Sequence, residues 1–142
     1  MKKLKLENDV QYDFALVGIT CILKEYRLAW KLNKLLEIQL TKEKDIEIEF
    51  LKNQNLVISN YLHETENSQI RLLKNKSADE FTIQSAYLLP ELKEFDYFIM
   101  IQGFEDTFSM ESFKNRIATI AEVHYTKEFA IENLKSKENL IF

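Results

Sequence analysis

Along this chain the apolar positions alternate between two spacings, near 2 and near 3.6 residues, and the changes between them mark out the elements. Phe14-Ala15-Leu16-Val17-Gly18-Ile19 is a short continuous apolar run, which predicts a strand over 12–20 covered on both faces. Gly18 inside it predicts a close backbone approach or a bulge. Over 24–39, Leu28, Leu32, Leu35 and Leu36 recur at i, i+4, i+7 and i+8, one stripe of a helix. Ala29 and Trp30 widen that stripe, while Lys24, Arg27, Lys31 and Lys34 lie largely away from it. Asp45-Ile46-Glu47-Ile48-Glu49-Phe50 alternates strictly, as a half-buried strand does. Polar turns at 52–55 and 64–67 separate it from strands over 56–63 and 69–74, an antiparallel meander. After a polar loop over 75–80, residues 81–88 are ambiguous, with an edge strand the reading they allow. Pro90 then opens a short helical turn, and Asp96 to Ile101 reads as a buried central strand ended by Gln102-Gly103. A second helix is predicted over 109–121, with Ser109 as N-cap, Glu111 in the first turn and Phe113, Ile117 and Ile120 as its stripe. Val123 to Phe129 is the last strand, and 130–142 a short helical or extended tail.

The order βα, antiparallel strands, βαβ predicts an α+β fold. Two main helices pack on one face of a mostly antiparallel sheet, ferredoxin-like with an enlarged β-meander. Residues 1–142 read as one domain, with no repeat, low-complexity segment or linker. Composition agrees with a folded core: 46% of residues are hydrophobic and 12% aromatic, against what disorder requires.

Charge narrows the partners. A net charge of −4 argues against nucleic acid as the main ligand, because phosphate neutralisation needs a basic face. Lys2, Lys3 and Lys5 cluster at the start and read as a solvated terminus. That start has no apolar h-region, and no run approaches a membrane span, so a cytoplasmic protein is expected. The single cysteine, Cys21, ends an apolar run and is expected to be a buried, inert thiol.

The only proline lies in Leu89-Pro90-Glu91-Leu92-Lys93-Glu94-Phe95-Asp96-Tyr97. This segment resembles the signature of the IPExxxVDY family, small proteins of Bacteroidetes. Pro90, Glu91, Asp96 and Tyr97 match as written, with Leu89 for Ile and Phe95 for Val, both apolar for apolar. Tyr26-Arg27-Leu28-Ala29-Trp30-Lys31-Leu32-Asn33 and the tail from Leu134 to Phe142 are also similar to the family. The resemblance implies a bacterial cytoplasmic protein and carries over no catalytic residue.

Familiar chemistries find little here. There is no Gly-x-Ser-x-Gly elbow and no Gly-rich phosphate loop, since Gly18 and Gly103 stand alone. His63 and His124 lack the local spacing of a metal motif. No cofactor is expected. Glu91 and Asp96 are five positions apart and, with Tyr97, either line a polar pocket for acid–base or ligand chemistry or hold the turn and strand entry in place. Tyr26, Arg27 and Trp30 are residue types that dominate binding hot spots; Trp30 is otherwise a core residue and Arg27 the partner of a surface acid. The apolar end Leu140-Ile141-Phe142 docks either on its own core or on a partner. The function expected is a non-enzymatic binding or regulatory module acting through protein–protein contacts, as a homodimer or small adaptor. The alternative is a small enzyme or ligand-binding domain around Glu91, Asp96 and Tyr97.

Overall fold

In a computed structural model of the chain, residues 13–51, 54–78, 86–103 and 109–142 are described. Six strands form one antiparallel sheet: β1 Ala15–Cys21, β2 Thr41–Leu51, β3 Gln54–Glu64, β4 Gln69–Lys74, β5 Tyr97–Gln102 and β6 Val123–Phe129. Their order across the sheet is β2-β3-β4-β5-β1-β6. Helix α1, Glu25–Leu36, follows β1, and helix α2, Met110–Ile117, follows β5. The run β4-β5-β1-β6 has the strand order of a ferredoxin-like sheet, and β2 and β3 extend it beyond β4 as the enlarged meander. Among the described residues no helix is long and apolar enough to cross a membrane.

The central strands are apolar on both sides because both sides are covered. On one face Val17, Ile19, Ile70, Leu72, Ile99 and Ile101 meet Leu28, Ala29 and Leu32 of α1 and Phe113 and Ile117 of α2. On the other, Leu16, Leu56, Ile58, Leu73 and Phe98 are covered by irregular chain. Leu88, Leu89 and Phe95 come from the connection between β4 and β5, and Ile131, Leu134 and Leu140 from the segment after β6. Gly18 allows this second layer to close. A Cβ there would lie 2.8 Å from ring atoms of both Phe95 and Phe129, whose rings meet edge to face at 5.1 Å.

The C-terminal segment therefore docks on its own core: Leu140 is buried and the Asn139 side-chain amide donates to the Leu88 carbonyl at 2.8 Å. Ile141 and Phe142 stay exposed, with the Arg71 guanidinium 5.3 Å from the Phe142 ring.

Several element ends differ from expectation. Helix α1 stops at Leu36, short of residue 39, because Glu37 turns into the left-handed region at φ 56° and the Asn33 side chain takes over the hydrogen bonding. Asn33 accepts from Leu40 N–H at 2.7 Å and donates to the Leu40 carbonyl at 3.2 Å, and so launches β2 at Thr41. A register shift between Glu43 and Ile46 breaks the alternation, which hides the first part of β2 in the sequence. Helix α2 has the expected Ser109 cap, which accepts from Ser112 N–H, but ends at Ile117 and gives way to tight turns through Ile120. The centre of the 52–55 turn and most of the ambiguous 81–88 segment lie outside the described residues, as do Lys2, Lys3 and Lys5. Tyr87 makes a single bridge to Lys76.

Candidate functional site

The signature segment is folded around a residue that precedes it. Asn75, at the end of β4, is fully buried, and every polar group it owns is used. Its side-chain amide donates to the carbonyls of Leu92 and Phe95 at 3.0 and 2.9 Å and accepts from Leu89 N–H at 2.9 Å. Its backbone donates to the Asp96 carbonyl and accepts from Leu88 N–H. A loop turning back over the sheet exposes its peptide groups to an apolar layer, and one internal amide satisfies them. Pro90–Leu92 forms the short helical turn expected of Pro90.

Each signature polar group then ties the loop to a different part of the fold. The Asp96 carboxylate accepts from Cys21 N–H at 2.8 Å, holding the end of β1. The Tyr97 hydroxyl donates to the Leu23 carbonyl at 2.5 Å, holding the entry to α1. Burial, reinforced by the nearby Glu25 carboxylate, pushes the Tyr97 phenol well above its usual range. The Glu91 carboxylate accepts from Ser136 N–H at 2.8 Å and straps the C-terminal segment down. Burial alone would raise the Glu91 carboxyl, but the hydrogen bonds it accepts outweigh this and hold it below the usual range.

Asp96 and Tyr97 do meet in one hollow, and Glu91 is not among the residues that line it. The hollow has a volume of about 420 Å³ and sits where β1 ends, α1 begins and β4 and β5 meet. Its walls are Cys21, Ile22, Leu23, Phe95 and Tyr87, and its charged residues are Lys24, Lys74, Lys76 and Lys93 with Asp96. Sequence inspection missed these four lysines: they are spread over seventy positions and only the fold brings them together. Cys21 is buried, and burial pushes its thiol up, as an inert thiol requires.

Tyr26, Arg27 and Trp30 lie apart from the hollow's lining. Trp30 is 56% exposed and Tyr26 59%, so neither belongs to the core, and Lys34 Nζ stands 4.1 Å from the Trp30 ring. Trp30 sits on the exposed side because α1 turns Leu28, Ala29 and Leu32 to the sheet. His63 accepts from Gln39 N–H at 3.0 Å, a structural bond at the start of β2. Among the described residues no three of His, Cys, Asp or Glu converge as metal ligands.

The sheet's two edges differ in character. Strand β2 carries Lys42, Glu43, Lys44, Asp45, Glu47 and Glu49, all exposed, and a register shift, the usual protections of an edge. Strand β6 pairs only with β1 among the described residues, and presents Tyr125, 54% exposed.

Compared with protein-family models, curated proteins and solved structures, the chain matches none.

Proposed function

We propose that this chain is a cytoplasmic, non-enzymatic binding module of the IPExxxVDY family that works through protein–protein contacts, first of all with a second copy of itself. The family placement is supported by Pro90, Glu91, Asp96 and Tyr97, three of whose side chains hold the loop against the rest of the fold. That same use argues for a structural signature, since each of the three polar side chains has a backbone partner.

The observation that carries the dimer is that β6 pairs only with β1 among the described residues, together with its sequence, Val123-His124-Tyr125-Thr126-Lys127-Glu128-Phe129. Two copies paired antiparallel overlap fully when the two-fold axis passes through Thr126, the midpoint. Tyr125 then faces Lys127, and His124 faces Glu128, each twice. Cross-strand pairs of this kind favour association, and like charges directly opposite do not arise. Tyr125 and Lys127 share the sheet face that Leu16 and Gly18 define, so the pairing is between side chains on the same side. Such an interface is isologous and closes on itself. Tyr26, Arg27 and Trp30 are the surface left for a different partner, and Arg27 together with Lys34, 4.1 Å from the Trp30 ring, favours an acidic one.

The test is a pair of cysteine variants. Directly opposed residues in an antiparallel pair have Cα atoms about 4.5–5.5 Å apart, within disulfide reach. Thr126→Cys is expected to form a covalent dimer on mild oxidation, whereas Lys127→Cys, displaced from its own copy, is expected to stay single on a non-reducing gel. If neither cross-links, or both do equally, the β6 pairing is wrong.

A further inference from the structure

We propose that the hollow between the end of β1, the start of α1 and the signature loop is a binding site for a small organic phosphate. Its four lysines lie outside β6.

Lys24, Lys74, Lys76 and Lys93 line it, and none of them has an ion pair among the described residues. The one acid in the lining, Asp96, is held by Cys21 N–H. In a chain of net charge −4, four cations gathered around 420 Å³ make a local positive well. A multiply charged anion in the hollow would meet several ammonium groups at once. Lysine ammonium groups on flexible stems act as point charges suited to phosphate. The first turn of α1 opens at the same place. Its cap position is Lys24, whose side chain makes no cap hydrogen bond, and its first turn already carries an acid, Glu25, so the lysines and not the helix end carry the site.

The rest of the lining points to an organic part. Ile22 is 78% exposed at the rim, and Phe95 and Tyr87 supply apolar wall beside it. A volume near 420 Å³ suits a small molecule and not a long polymer. An extended nucleic-acid backbone would need a continuous basic track, which the acidic remainder of the chain does not supply.

Titration calorimetry on the full chain tests this, with phenyl phosphate and inorganic phosphate as probes at low salt. Phenyl phosphate is expected to bind more tightly than inorganic phosphate. The exposed pair Lys76→Gln/Lys93→Gln is expected to weaken binding about tenfold with an unchanged melting temperature. A control pair, Lys44→Gln/Lys135→Gln, is expected to change it less than about twofold. Ile22→Ser is expected to abolish the preference for phenyl phosphate. No binding by the wild-type chain, or equal loss in the control pair, would overturn the site. Equal affinity for both probes would overturn its organic part.

Discussion

At the scale of single residues, Asn75 carries more of the fold than its place in a polar stretch indicates. Replacing it with Ala leaves the Leu89 N–H and the Leu92 and Phe95 carbonyls without their partner in a buried place. Each such orphan costs about 1–3 kcal/mol, so Asn75→Ala is expected to lose about 3 kcal/mol or more, read from the midpoint of chemical denaturation. A loss under about 1 kcal/mol would mean that water replaces the amide. Some residue roles were legible in advance. The Ser109 cap and the buried Cys21 follow from local chemistry alone, whereas at Gly18 the close neighbours are the rings of Phe95 and Phe129 and not the backbone or bulge expected. The partners of Asp96, Tyr97 and Glu91 were not, because Cys21, Leu23 and Ser136 stand 75, 74 and 45 positions away. Local pattern contains no information about which backbone N–H will end a fold's distant strand.

At the scale of elements, periodicity located both helices and all six strands of the described residues, and faltered where tertiary hydrogen bonds set the ends. The Asn33 clamp shortens α1 and the register shift in β2 disguises its start. The second face of the sheet was the larger surprise, since it is covered by irregular chain that has no period to detect. The C-terminal segment belongs to that layer, and its attachment responds to pH. Glu91 has a carboxyl held below its unfolded value, so its contribution is fully present above the ordinary Glu range, about 4.3, and is lost as pH falls through the folded value. Amide exchange at Ser136 and Asn139 is therefore expected to speed up in acid, relative to its intrinsic rate, before the central strands open. Glu91→Gln is expected to remove that pH dependence. If the wild-type segment and the central strands lose protection together, the strap has no separate role.

At the scale of the whole molecule, the sheet has among the described residues one edge guarded by charge and one that is not. Strand β2 presents alternating acids and lysines, whereas β6 offers a sequence that complements itself about Thr126. A two-fold pairing at β6 would join two six-stranded sheets into one and leave the α1 surface of each copy exposed on the assembly. The hollow's wall residue Phe95 packs 5.9 Å from the Tyr125 ring of β6, but none of the four lysines lies on β6, so lysine variants test ligand binding apart from pairing. The most direct measurement is the solution mass of the unmodified chain by light scattering over a dilution series. Twice the 16.9 kDa of the chain, falling to a single mass when Tyr125→Lys sets lysines opposite one another, is the predicted result. A mass of 16.9 kDa at every concentration would contradict the dimer and remove the main support for an interaction module.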